Sequence, residues 1–269
     1  MNFIAWNCRG LGNTRTVQEL CGLATLYRPK VIFLCETRIK ATRVRNLVWR
    51  LAKDSVGLSG GIALFWDESV DVSLLSQGDR YFDVLIKESP DQAPWRGTFV
   101  YGEPRVENRH LFWDIFRNLG GVWDGPWMAI GDFNEAMWQH EHLSETPPRP
   151  ERQMMDFREV LSHCDLRDIG FCGLPWTYNN NRDGSANVRV RLDRGVANPD
   201  WCDHFPNANI HHLCSSRSDH MVLILKLQGE SCRTPIGNTF RYEAMWERAE
   251  GLNGVVESLW GDRPLYPYG

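Results

Sequence analysis

Nine short runs of apolar or alternating residues punctuate this chain, at 3–6, 31–35, 62–66, 70–75, 81–86, 98–101, 127–130, 192–197 and 221–227. Runs of that length with turn-rich borders form strands, because a longer helix would need its apolar positions spread at a period near 3.6. Four longer segments do carry that helical period, at 14–27, 42–51, 108–119 and 151–164, and Thr16 and Glu19 are spaced as a capping box in the first of them. Strands outnumber helices. The run pair across 70–86 reads as a hairpin, while other strands alternate with helices. Together these predict an α/β (α+β) fold: a four-layer sandwich of two packed mixed β-sheets flanked by helices.

At 269 residues the chain suits one core of about 230 residues with a tail. The expected division is a domain over 1–228 followed by a linker and helical tail over 229–269, where 240–260 reads as an amphipathic helix pair. Apolar residues at 42% and charged residues at 24% exclude disordered, collagenous and coiled-coil classes. No apolar run approaches the roughly 20 residues of a membrane helix, and no secretory leader pattern opens the chain. The expectation is a soluble, intracellular protein. Its eight cysteines form no CxxC pair and are expected as reduced thiols. The net charge of −4 does not advertise a nucleic-acid binder, yet residues 1–50 hold nine Lys or Arg against two acids, a local balance of +7.

Chemistry enters where the strands stop. Six apolar runs end at a polar group: Asn7, Glu36, Tyr101, Asp132 with Asn134, Asp193, and Asp219 with His220. Each has a plain alternative. Asp132 and Asn134 suit an Asx turn, Glu36 suits a surface pair with Arg38 or Arg43, Asn7 suits a turn, Ser218 to His220 suits a cap, and Tyr101 suits strand packing. Strand ends on one sheet edge converge, however, and rigid strands hold side chains to the tolerance that catalysis needs. An acid-rich cluster with Asn and His there can hold a divalent metal and a phosphate. Cys202, His204, His211, His212 and Cys214 also gather in sequence, but their spacing fits no zinc pattern.

The motifs Trp6-Asn7-Cys8-Arg9-Gly10-Leu11-Gly12, Cys35-Glu36-Thr37, Ser59-Gly60-Gly61, Gly131-Asp132-Phe133-Asn134, Thr177-Tyr178-Asn179-Asn180, Arg191-Leu192-Asp193-Arg194 and Ser218-Asp219-His220 carry a resemblance. In this order they resemble the endonuclease/exonuclease/phosphatase superfamily, nearest to the endonuclease domain of plant non-LTR retrotransposons, over residues 2 to about 227. Arg241 to Trp246 also looks like the segment ahead of the reverse transcriptase in such elements. The resemblance implies a DNA-nicking phosphodiesterase dependent on Mg2+, with Mn2+ as a substitute. Glu36 would be the main metal ligand, with Asn7 and Asp219 beside the metal. Asp132 would activate the attacking water, Asn134 and Tyr101 would contact the phosphate, and His220 would stabilise its developing charge, held in its tautomer by Asp193. Arg9 and Asn179 would bind substrate. DNA is the expected partner, with no membrane or protein partner, a monomeric chain and nuclear residence.

Two departures from the resemblance stand out. Arg9 occupies a position where apurinic/apyrimidinic endonucleases carry an aspartate, and only residues 52–58 separate the second helix from Ser59-Gly60-Gly61. The short segment implies that strand 62–66 lost a hairpin partner and became an exposed edge. Two rival functions stay open: a degenerate, non-catalytic remnant of the same domain, and a phosphatase on inositol or other small phosphoesters.

Overall fold

The computed structural model describes residues 1–39, 51–56, 59–145 and 149–229. The expected helix over 42–51, except Leu51, and the expected helix pair over 240–260 lie outside the described residues. In chain order the strands of the first half are β1 (Asn2–Asn7), β2 (Val31–Cys35), β3 (Leu51–Val56), β4 (Ser59–Trp66), β5 (Asp71–Gln77), β6 (Tyr81–Lys87) and β7 (Trp95–Tyr101). The second half adds β8 (Trp127–Asp132), β9 (His142–Leu143), β10 (Arg167–Asp168), β11 (Tyr178–Asn179), β12 (Arg189–Val190), β13 (Asp193–Ala197), β14 (Asn209–Leu213) and β15 (Val222–Lys226). Among the described residues the helices are α1 (Thr14–Tyr27), α2 (Arg109–Gly120), α3 (Glu151–His163) and α4 (Pro199–His204). None is long and apolar enough to cross a membrane.

The strands form two six-stranded sheets, ordered β14-β15-β1-β2-β4-β3 and β10-β13-β8-β7-β6-β5, with a small sheet β11-β12-β9. Both large sheets are mixed, since β1 runs parallel to β2 and β7 parallel to β8 while their other pairs are antiparallel. Alternate residues face opposite sides of a strand, which separates the core into layers. Phe3 and Ala5 of β1, Phe99 of β7, and Met128 and Ile130 of β8 meet between the sheets. Ile4 and Trp6 face α1 instead, and Val100, Trp127 and Ala129 pack under α2 and α3 against Phe116 and Phe157. The expected four layers are present. Burying each Phe, Ile, Val or Met among these contributes about 1.5–3 kcal/mol.

Three expectations need correction. Strand 62–66 is no edge, because β3 pairs with β4 from Leu51↔Leu64 to Val56↔Ser59; the short segment 52–58 contains most of a strand, and β3 itself is the edge. The capping box on α1 is absent. Asn13, one turn earlier, caps the helix by accepting from the Arg15 N–H at 3.0 Å, while Glu19 accepts from Ser215 Oγ and the Ser216 N–H at 3.2 Å each. Cys172 is disulfide-bonded rather than a thiol, whereas Cys8, Cys21, Cys35, Cys164, Cys202 and Cys214 are free. The scattered Cys/His set of 202–214 does not converge. His212 instead stacks on Phe171, its Nδ1 lies 2.7 Å from the Leu174 carbonyl, and burial holds its pKa down at about 4.

Two features fix the strands on either side of β8. Arg194 of β13 and Arg191, two residues ahead of that strand, are buried between Glu141 and Asp168. Arg194 Nη2 donates to Glu141 Oε2 at 2.7 Å and Nη1 to Asp168 Oδ2 at 2.8 Å, and Arg191 Nη2 donates to Asp168 Oδ1 at 2.9 Å. In β8, Gly131 adopts φ 145°, and a Cβ there would lie 2.1 Å from the Val100 carbonyl oxygen, so only glycine lets β7 and β8 approach.

Gly131→Ala should therefore lower unfolding free energy by about 3 kcal/mol or more in urea denaturation, since both the backbone and its neighbour must shift. Acid should weaken the arginine network. Burial works to raise the Glu141 and Asp168 carboxyls, but the charges of Arg194 and Arg191 and their hydrogen bonds outweigh it and hold both below their ordinary values. Their stabilisation is full above those ordinary values, 4.5 and 3.8, and disappears as pH falls through the lower folded values. Glu141→Gln should cost about 3 kcal/mol at pH 7, and the variant's stability should fall less steeply than that of the wild type between pH 5 and pH 3.

Candidate active site

Sheet register assembles the site. Following the alternation of β1, Asn7 is the next inward position after Phe3 and Ala5; in β8 Asp132 follows Met128 and Ile130. Tyr101, at the end of β7, is paired with Asp132 in register, and so is Asp193, at the start of β13. Asn7 is paired with Cys35 of β2. These polar groups are thus the last inward-facing positions at one rim of the apolar layer between the sheets. Glu36 joins them by a local device: its backbone turns to φ 51° just after β2, and the Gly61 and Gly60 carbonyls accept from the Thr37 and Arg38 N–H groups. His220 arrives ahead of β15 through a backbone bridge to Tyr178.

One amide ties the two sheets together. Asn7 Nδ2 donates to Glu36 Oε1 at 3.1 Å and to Asp132 Oδ2 at 2.9 Å. Asp132 Oδ1 also accepts from the Asn134 N–H at 2.8 Å. Glu36 collects two further donors: the Tyr101 hydroxyl at 3.2 Å on Oε1 and Arg38 Nη2 at 2.7 Å on Oε2. His220 Nδ1 lies 2.9 Å from Asp193 Oδ2 and 3.9 Å from Asp132 Oδ2. With Nδ1 committed to Asp193, Nε2 is the ring nitrogen left for another partner. Glu36, Asp132 and His220, far apart in sequence, meet at one rim.

The electrostatics follow from burial and neighbours. Burial raises the pKa of Asp132, the charge of Asp193 raises it further, and His220 opposes both; the net direction is upward. Burial would discharge His220, but the charges of Asp193 and Asp132 and the Asp193 hydrogen bond override it, so the ring holds its proton well above the ordinary histidine range. Burial would raise Glu36, yet the hydrogen bonds from Asn7 and Arg38 and the Arg38 charge hold it below its ordinary value. Burial and the Glu36 charge push the Tyr101 hydroxyl far up, so it stays protonated as a donor.

Asn134, at φ 56°, donates its side-chain Nδ2 to the Gly102 carbonyl at 2.9 Å. Asn179 sits beside the site through its backbone, donating to the Asp219 carbonyl at 2.9 Å, while its side-chain oxygen accepts from the Asn181 N–H and from Asn187 Nδ2. Arg9 pairs with Asp219 Oδ2 across the rim. Two hydroxyls that carried no expected role prove central to positioning. Ser218 Oγ donates to the Asn7 carbonyl at 2.6 Å and accepts from the His220 N–H at 3.1 Å. Thr177 Oγ1, fully buried, accepts from the N–H groups of both Leu192 and Asp193 at 2.9 Å. Both lie inside the quoted motifs, but a hydroxyl's partner depends on tertiary contact and leaves no spacing to read.

Among the described residues, one group of side chains of metal-ligating type converges: Asp132, Asp193 and His220, whose ligand atoms lie within 4.8 Å of one another. These three already bond to each other or to backbone and amide donors. Glu36, Asn7 and Asp219, linked through the Asn7 amide and Arg9, offer oxygen donors of the kind a hard cation prefers. Among them Asp219 Oδ1 is buried without any hydrogen-bond partner, an anomaly that a cation would resolve.

Comparison with known proteins agrees with the two-sheet fold. The AP endonuclease LMAP from Leishmania major superposes with a TM-score of 0.67 at 17% identity, covering 83% of this chain and 86% of that one. A 3′ phosphatase from Neisseria, bound to a product DNA hairpin, gives 0.61 at 15% identity over 84% and 98%. The endonuclease domain of TRAS1, a telomere-specific non-LTR retrotransposon, gives 0.59 at 16% identity over 84% and 97%. At these identities the likeness is one of fold. No curated protein matches the chain. Residues 4–220 match the model of the Endonuclease/Exonuclease/phosphatase family, whose members are hydrolytic nucleases and phosphatases that use divalent metals, and the chain belongs to that family.

Proposed function

We propose that this chain is a metal-dependent phosphodiesterase that nicks DNA, an endonuclease of retrotransposon origin. The observation that carries the reading is the meeting of Asn7, Glu36, Asp132, Asp193 and His220 at one rim, joined by a single amide and an aspartate–histidine pair. A phosphodiester is anionic and resists attack, so hydrolysis needs its charge neutralised and a water oriented in line with the leaving oxygen. Asp132 is the base that takes the water's proton, since its raised affinity for a proton suits that task. His220, held as imidazolium by Asp193, donates through Nε2 to a phosphate oxygen as negative charge builds there. Asp193 keeps the ring in that orientation.

Glu36, Asn7 and Asp219 would hold the divalent ion, Mg2+ by preference for oxygen ligands with Mn2+ as a substitute. Bound there, the ion supplies charge neutralisation at the phosphate. Tyr101 supports Glu36 through its hydroxyl, and Asn134 and Asn179 border the phosphate and the substrate path. The attacking water bonds to phosphorus and gives its proton to Asp132 as the bond to the 3′ oxygen breaks; that oxygen leaves with the bonding pair and takes a proton from solvent, giving a 3′-hydroxyl and a 5′-phosphate. DNA is favoured by two features: structural neighbours that include DNA-processing enzymes, and the positive balance of residues 1–50, from which Arg9 and Arg38 reach the site. The TRAS1 endonuclease domain among the neighbours favours the retrotransposon origin.

Supercoiled plasmid with Mg2+ provides the test. Nicking should be lost with chelator, and Asp132→Ala and His220→Ala should each lower the rate by about 10²–10⁴-fold, the range for removing a general acid or base. Plasmid binding without nicking would favour the remnant reading. Turnover of a soluble phosphoester with no nicking would favour the phosphatase. A wild-type rate in either variant would remove these residues from the mechanism.

A further inference from the structure

Asp219 divides its two oxygens between different kinds of partner. Its side chain is only 8% exposed. Oδ2 is paired with Arg9 Nη1, and Oδ1 has no partner. Arg9 reaches it from the loop after β1, where the backbone turns to φ 47° at Arg9 and φ 125° at Gly10. The Arg9 N–H also leans on Asn7 Oδ1 at 3.4 Å, so the loop is tied to the same amide that joins Glu36 to Asp132. The Arg9 side chain is 45% exposed. A guanidinium has five N–H donors in a rigid fork, and a single one is spent on Asp219.

We infer that Arg9 is a built-in cation: it occupies Asp219 Oδ2 in place of a second divalent ion, leaves Oδ1 for one ion alone, and presents its free N–H groups to the substrate phosphate. The inference deepens the phosphodiesterase reading and rests on it only for the substrate contact. Its physical basis is charge. A fixed positive group bonded to one carboxylate oxygen takes that oxygen from any further ion, and its charge together with that of an ion on Oδ1 repels a second divalent ion from the same carboxylate. It also supplies, permanently and without dependence on dissolved metal, part of the positive charge that a phosphodiester needs. A site built this way takes one ion per chain.

Counting bound Mn2+ by electron paramagnetic resonance titration of the full chain separates this from a two-ion site without reference to turnover. Wild type and Arg9→Lys should each bind one ion at the rim. Arg9→Asp should bind two, and the neutral Arg9→Gln should gain a second, weaker ion or tighten the first by roughly tenfold. Glu36→Gln, which removes a ligand of the first ion, identifies the rim as the location. Two ions in wild type, or one unchanged ion in both Arg9→Asp and Arg9→Gln, would overturn the inference; a folded Arg9→Gln keeps the test decisive if Arg9→Asp does not fold. The substrate arm uses nicking kinetics: Arg9→Gln should raise KM for plasmid about tenfold, with Arg9→Lys recovering part of it. An unchanged KM removes the phosphate contact. If no variant nicks and the ion counts still follow this pattern, the hydrolytic reading fails while the one-ion site stands.

Discussion

Like charges gathered in a low-dielectric rim must be held together by something, and here a neutral amide does much of it. Asn7 offers one nitrogen to two carboxylates on opposite sheets. Without that shared donor, Glu36 and Asp132 would face each other across the inter-sheet layer with repulsion and little solvent to screen it. The amide therefore couples packing to chemistry: the distance between the sheets at this rim is also the distance between the two acids. Apolar packing sets that spacing from within, through Phe3, Ala5, Met128 and Ile130. The polar rim inherits its geometry from the core below it.

Inheritance of this kind explains why residues so remote in sequence meet. A strand whose inward positions are apolar for two or three repeats delivers its last inward residue to a defined place, and substituting a polar group there costs little packing. Asn7, Tyr101 and Asp132 occupy such positions, Asp193 is the first residue of β13 at the same rim, and the register pairs Tyr101↔Asp132 and Asp193↔Asp132 do the rest. The supports lie one step outward. Glu19 grips the turn that carries Ser218, and Ser218 grips both Asn7 and His220. Thr177 clamps the entry to β13, and the buried Arg191 and Arg194 network holds the same strand from behind. His220 is thus located from two directions, by its own turn and by Asp193.

Much of this was legible in the chain. Apolar runs bounded by turns located the inner strands, because burial on both faces leaves them nearly continuous. Polar residues at their ends located the rim. Elements with weaker signatures were harder: β14 mixes Asn, Ile and two His, and β3 reads as polar at Lys53 and Asp54, so neither advertises a strand although pairing with β15 and β4 makes them so. The helix cap went to Asn13 rather than Thr16 since either residue type accepts from a helix N-terminus, and only the backbone decides which does. Ser218, Thr177 and the Arg9 pairing depend on contacts between segments up to 211 residues apart, a separation at which spacing carries no information.

A decayed domain and a working one would share this backbone, so the weight falls on what the buried charges do for the fold. They do little for it. Replacing a buried ionic cluster with well-packed apolar residues is often neutral or stabilising, and the rim lies at the edge of the core rather than within it. Four acids are held there by at least six donors from Asn7, Tyr101, Arg38, Asn134, His220 and Arg9, and one oxygen of Asp219 is still left bare. A fold has no use for a bare buried carboxylate oxygen. An ion-assisted reaction on an anionic substrate does, and that asymmetry between structural cost and chemical use is what favours hydrolysis over a relic.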